Sequence, residues 1–207
     1  MSKPIIILGN GGHAKVLIEI LQEQNREIVG FTAPFNKENS YGFAYLGKDE
    51  EIFGFGFTEV ELVNGLGSVT VNPLRKNIFK LFKNRGYTFA NVIHPSSIIS
   101  PSAIIGEGVQ IMAGTIIQTN AFIADNTIIN TGVKIDHDSV VYEHVHIAPG
   151  TTISGNVHVR ANTHIGTGTS IIQGITIGEG CLIGAGSVIV KDIRDKAKAF
   201  GVPAKEV

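Results

Sequence analysis

Tryptophan is absent from this 207-residue chain, methionine occurs twice, and cysteine once, as Cys181. A lone thiol excludes a disulfide framework and fits a reducing, cytoplasmic setting. Aromatic residues make up 7% of the chain against 25 glycines, which argues against a bulky aromatic core and for many tight turns. Neither Lys nor Arg forms a run, and the formal net charge is −1. Neutralisation of a phosphate backbone, and with it a nucleic-acid partner, is therefore not expected. Long apolar runs are also missing. The N-terminal "IIIL" is far shorter than a signal-peptide core or a membrane span, so membrane insertion is not expected either. The length suits one large domain or two small ones.

What the chain does contain is a repeat. From Ile93 to Ile189 every sixth residue is Ile or Val, seventeen positions without a gap, and the fifth place of each hexad is small or β-branched, from Ser97 to Ile193. A helix needs apolar spacings of three and four and a simple strand needs two, so a period of six fits neither. It fits a solenoid of short flat strands. Three hexads make a triangular coil of eighteen residues, first-place aliphatics fill the interior, and Gly, Asn or Asp in the intervening places turn the corners.

The first ninety residues read differently. "PIIIL" predicts a buried strand, "GNGGH" a turn, and "HAKVLIEILQEQ" a helix with apolar residues at 14, 17, 18 and 21. Further strands are expected at 27–31, 68–71 and "YTFANVI", with a helix across "LRKNIFKLFKNRG". The expected organisation is a small three-layer α/β domain over 1–92 and the solenoid with a C-terminal tail over 93–207. Gly9, Gly11 and Ala14 match G-x-G-x-x-[GA], but an NAD site would want an acidic residue ending the second strand. Phe31, Thr32 and Ala33 stand there instead, so a dinucleotide is not expected.

The motifs "GNGGHAKV", "NVIHPSSIISPSA", "NTGVKIDHDSVVYEHVHIAPG" and "GVPAK" resemble those of the sialic-acid O-acetyltransferase and nucleotide-amino-sugar N-acetyltransferase family of hexapeptide-repeat acyltransferases. The resemblance implies a Rossmann-like N-terminal domain on a left-handed parallel β-helix and a homotrimer with sites between neighbouring prisms; no metal is expected, because the histidines do not fall at a converging ligand spacing. It implies acetyl-CoA-dependent N-acetylation of a nucleotide-linked amino-dideoxyhexose, with the amine at C4, in bacterial surface-glycan and lipopolysaccharide synthesis. O-acetylation of a sialic acid or another sugar is the close alternative. By the same resemblance, His137 is the general base, Asp138 its orienting acid and Gly155 the oxyanion donor. His146, His164, Thr167 and Ala185 meet acetyl-CoA, and Gly11, Gly12, His13, Thr32 and Ala33 meet the nucleotide sugar; Lys191 and Lys205 are expected beside acetyl-CoA on separate grounds, as cations near the end of the prism facing its acidic tail. Relatives usually carry "IGN" ahead of the second helix, where this chain reads "VTVNPLR".

Register separates the histidines of "IDHDSVVYEHVHIAPG". His137 takes the third place of its hexad, His144 the fourth and His146 the sixth, while His164 follows His146 by one full coil of eighteen residues. The last two are expected to stack about 4.8 Å apart at their backbones. His137 is flanked by Asp136 and Asp138, either of which could fix its tautomer for proton abstraction. A zinc site needs three or four converging ligands, and the ligand spacing of the β-helix carbonic anhydrases is not evident. A zinc-dependent hydratase is the alternative from a different class, and a noncatalytic nucleotide-sugar module a third. His144 and His158 are expected on exposed polar faces, His94 in a structural role at the domain junction, and Cys181 pointing inward. Lys191, Lys198 and Lys205 are candidate neighbours of coenzyme A phosphates or solvated cations.

Overall fold

The computed structural model describes residues 2–36, 41–68, 71 and 73–207. It divides into two compact units, Met1–Gly67 with Leu74–Pro95, and Ser68–Pro73 with Ser96–Val207.

The first unit is built on a parallel sheet of β1 (Ile5–Leu8), β2 (Ile28–Thr32), β3 (Ala44–Tyr45) and β4 (Glu61–Asn64), in the order β3-β2-β1-β4. β1 is central and wholly buried, which is why it reads as an unbroken aliphatic run. Ile6, Leu8 and Leu62 cluster with Phe79 and Phe82 of α2 (Leu74–Lys83) and with Phe89. Ile7 points to the opposite face, where α1 (Gly12–Glu23) buries Ala14, Leu17, Ile18 and Leu21. Gly65 fits there because a Cβ would lie 2.9 Å from the Ala14 Cβ and 3.1 Å from Ile7 Cγ2.

The expected strand at 68–71 falls partly outside the described residues, at 69 and 70. The strand beside β1 is instead "ELVN" at 61–64. "YTFANVI" is a strand only at Val92–Ile93, with a single bridge from Phe89 to Leu62. β3 was not expected. Among the described residues no helix is long and apolar enough to cross a membrane.

In the second unit, sixteen two-residue strands run from Ile98–Ile99 to Val188–Ile189, one per hexad. Each pairs in parallel with the strand eighteen residues away, as in Phe122↔Val140, Ile128↔His146 and Lys134↔Thr152, so three sheets form the faces of the solenoid. First-place aliphatics from Ile111 to Ile189 are all buried. From Val109 onward fifth-place residues are buried too, and hydroxyls among them are satisfied by carbonyls of the next coil, as in Thr163 Oγ1 to Gly178 O at 2.7 Å and Ser139 Oγ to Ser154 O at 3.0 Å. That is how small polar side chains are tolerated inside.

The corner is made at the fourth place. From Gly108 to Gly186 each fourth-place residue has positive φ, including Asn120, Asn126, Asp138, His144, Asn156 and Asn162. Glycine, Asn and Asp adopt this left-handed conformation most readily. The last described elements, Lys198–Gly201 and Ala204–Glu206, pair as an antiparallel hairpin whose first strand lies against Leu182–Ile183.

Candidate active site

His137 sits at a corner between the strands Lys134–Ile135 and Val140–Val141. Asp138 takes the left-handed place at φ 58°, and its Oδ2 lies 2.8 Å from His137 Nδ1. Asp136 has a different task, since its Oδ1 accepts the His137 backbone N–H at 2.8 Å. Asp138 is therefore the carboxylate on the ring and Asp136 the one on the backbone. An ionised carboxylate can only accept, so Nδ1 carries the proton and Nε2 presents a lone pair. The hydrogen bond to Asp138 raises the His137 pKa, outweighing the opposing effect of desolvation, and the charges of Asp136 and Asp138 raise it further. Asp138 is held low by the same hydrogen bond and by the amide of Asn120.

One coil further on, Gly155 lies against the imidazole. A Cβ there would stand 2.6 Å from both Cε1 and Nε2 of His137, so only glycine leaves the ring its place. The Gly155 carbonyl accepts from Gly174 N at 3.1 Å, while its own N–H makes no backbone hydrogen bond among the described residues. The Nε2 lone pair thus lies beside a residue whose backbone N–H is not committed to another backbone group among the described residues.

A second cluster lies on another sheet of the same unit. His146 and His164 are paired in register, with ring centroids 4.9 Å apart at 84°. Thr131 N–H donates to Asn130 Oδ1 at 2.8 Å, which turns the Asn130 amide NH₂ toward His146 Nε2 at 3.3 Å. Nε2 is then an acceptor, and Nδ1–H donates to Ser68 Oγ at 3.1 Å. His164 is buried, and burial lowers its pKa, so it is neutral at pH 7. Both histidines line an open cavity of about 400 Å³ with Ser68, Thr167, Ala185 and Phe200. Four of the residues expected to meet acetyl-CoA, His146, His164, Thr167 and Ala185, therefore share one wall. Lys191, Lys198 and Lys205 are exposed and do not line it. Ser68, Asn130 and Phe200 carried no signal that singled them out. His137 does not line this cavity either.

The other histidines stand apart. His144 occupies a left-handed corner at φ 61° with Nδ1 3.0 Å from Asn126 Nδ2, and His158 lies on a third sheet. Among the described residues no group of three or more His, Cys, Asp or Glu could hold a metal ion. Cys181 is buried, its thiol pushed up in pKa chiefly by that burial. His94 Nε2 is 3.6 Å from Glu23 Oε2.

In the first unit, the Gly9 N–H donates to Thr32 O at 2.8 Å, tying the glycine loop to the end of β2. Gly11 and Gly12 are exposed at the start of α1, and a Cβ on either would meet nothing. They leave room for a ligand without being required by the fold. His13 follows them on the first turn of the helix. The Thr32 side chain is fully buried and its hydroxyl donates to Asp49 Oδ1 at 2.5 Å, so its side chain is turned to the protein and not to the surface. Ala33 is buried, its carbonyl accepting from Tyr45 Oη at 3.2 Å. Asp49, the first residue of a 3₁₀ turn at Asp49–Gly54, supplies the carboxylate that the end of β2 lacks.

Comparison with known proteins matches residues 4–82 to the PglD N-terminal domain and residues 156–191 to the bacterial transferase hexapeptide (six repeats). A crystal structure of a perosamine N-acetyltransferase mutant from Caulobacter crescentus in complex with CoA and GDP-perosamine is 34% identical with a TM-score of 0.92, covering 99% of this chain and 96% of that one. The acetyltransferase domain of PglB from Neisseria gonorrhoeae FA1090, in complex with acetyl coenzyme A, is 32% identical with a TM-score of 0.94 over 100% of both chains. UDP-N-acetylbacillosamine N-acetyltransferase of Bacillus subtilis (strain 168) is 37% identical over 117 residues, 54% of this chain and 52% of that protein. That match spans about half the length of the curated relative.

Proposed function

The chain belongs to the family of hexapeptide-repeat acetyltransferases that carry a PglD-type N-terminal domain, and on that premise we propose that it is an acetyl-CoA-dependent N-acetyltransferase of a nucleotide-linked amino sugar. The sugar is a 4-amino-4,6-dideoxyhexose destined for a bacterial surface glycan, and the enzyme is a homotrimer of the cytoplasm. Support for the substrate class comes from the ligand of the Caulobacter structure, GDP-perosamine, and from the named activity of the Bacillus relative.

The observation that carries the mechanism is the His137 imidazole, held through Nδ1–H by Asp138 and lying with Nε2 against Gly155. The sugar amine adds to the thioester carbonyl carbon of acetyl-CoA, forming the C–N bond as Nε2 takes a proton from nitrogen. Asp138 stabilises the imidazolium, and the Gly155 N–H meets the oxyanion. Collapse breaks the C–S bond, and the coenzyme A thiolate leaves with the proton returned from His137. No acyl-enzyme is required, in keeping with the burial of Cys181. His146, His164, Thr167 and Ala185 line the cavity that takes acetyl-CoA. In the first unit Gly11, Gly12 and His13 face the diphosphate at the start of α1.

The test is His137→Ala. Turnover should fall roughly a hundredfold or more, the scale of a lost general base, with folding and coenzyme A binding retained and the residual product an amide stable to mild alkali. Unchanged turnover would remove His137 from the chemistry, and an alkali-labile product would mean that oxygen is acetylated instead.

A further inference from the structure

We infer that Asn120 is a positioning residue for the catalytic pair, its side-chain amide fixing the Asp138 carboxylate so that the opposite oxygen meets His137; this rests on the reading of His137 as the base. Asn120 Nδ2 donates to Asp138 Oδ1 at 3.2 Å, and Asp138 Oδ2 lies 2.8 Å from His137 Nδ1. Asn120 and Asp138 are one coil of eighteen residues apart and share the left-handed corner conformation, φ 57° and 58°, which stacks their side chains in parallel. The lower residue is itself anchored. Its N–H donates to Ser102 Oγ at 3.1 Å, and that hydroxyl lies 2.8 Å from Thr119 Oγ1. The Asp138 N–H in turn donates to Thr119 O at 3.1 Å.

The pair needs such a brace because it is open to water, the side chains of His137 and Asp138 being 46% and 52% exposed. A carboxylate with one partner can rotate and exchange that partner for solvent, whereas a second hydrogen bond on the other oxygen fixes its plane. Backbone geometry alone does not call for Asn at this place. Glycine makes the same left-handed turn at Gly114, one corner earlier, and at Gly174, three coils above on the same corner, so what position 120 adds is the amide. The charged groups facing His137 are Asp136 and Asp138 of its own turn. The coil before brings Thr119 and Asn120 and the coil after Gly155 and Asn156, all uncharged.

Two substitutions isolate the amide without disturbing the corner, since glycine and Asp both adopt positive φ there. Asn120→Gly removes the brace. It should lower kcat about tenfold, the scale of one hydrogen bond, leave KM for acetyl-CoA unchanged and keep the melting temperature. Asn120→Asp sets a second carboxylate against Asp138. The added negative charge favours the imidazolium, so the His137 titration followed by NMR should rise, and the acid limb of the rate profile should move to higher pH with it. An unmoved titration in Asn120→Asp, or undiminished kcat in Asn120→Gly, would overturn the inference. A titration that rises while the rate profile stays in place would fault His137 as the base, not its coupling to Asn120.

Discussion

At the scale of single residues, the corner at 136–138 shows what sequence can and cannot say about a site. A histidine between two carboxylates is visible in "DHD", but the choice between them is not, because it depends on a backbone angle. Asp138 takes the left-handed place, which turns its carboxylate onto the imidazole ring, and Asp136 is left to cap the backbone. Gly155 is eighteen residues away in sequence yet lies against the same ring. Its φ lies outside the left-handed region, so alanine could adopt the backbone, and the objection to it is purely steric. Gly155→Ala should therefore fold with an unchanged melting temperature while its methyl displaces the imidazole. Misplacing a catalytic group by about 1 Å can cost a hundredfold, and kcat should fall on that scale with KM for acetyl-CoA little altered. Steady-state kinetics at saturating acetyl-CoA would show it, and undiminished kcat would mean that the ring works equally well elsewhere.

Elements differ in how far they can be read. Every strand of the solenoid meets its neighbour at a separation of eighteen residues, so each inward place is repeated in the sequence and the period announces the fold. The N-terminal sheet has no such redundancy. "ELVN" has only two aliphatic residues and becomes a core strand because it pairs with β1, Ile6 against Leu62 and Ile7 against Val63. "YTFANVI" has every sign of a strand but contributes to this sheet only through Phe89. The acid missing from the end of β2 was hidden for the same reason, since Asp49 arrives from a turn seventeen residues later through its bond with Thr32. In a parallel nucleotide-binding sheet a carboxylate at that strand end accepts hydrogen bonds from ribose hydroxyls. Asp49→Asn should accordingly weaken binding of GDP or UDP about tenfold, with acetyl-CoA binding unaffected. Calorimetric titration of each nucleotide tests this, and equal affinity in the variant would reduce Asp49 to an anchor for its own turn.

Across the whole molecule, the chemistry proposed above falls into two places that one chain keeps apart. His137 occupies a corner bounded by the strands Lys134–Ile135 and Val140–Val141, whereas His146 and His164 belong to the sheet containing Ile128–Ile129 and Leu182–Ile183. The proposed base on an open corner has no wall against water and nothing to hold two substrates, and the cavity lined by His146 and His164 contains no carboxylate-braced imidazole of the His137–Asp138 kind. Packing solenoids about a threefold axis resolves both deficits if the corner of one chain closes the cavity of the next. The expected assembly is a homotrimer with three shared sites, measurable by light scattering. Complementation gives the sharper test. His137→Ala and His146→Ala, each inactive by itself, are mixed and allowed to exchange subunits. In a random mixture about a quarter of the interfaces pair an intact His137 with an intact His146 from the neighbouring chain, and activity should return in that proportion. Sites contained within one chain predict no recovery at all, so an active monomer, or exchange verified without activity, would rule the shared arrangement out.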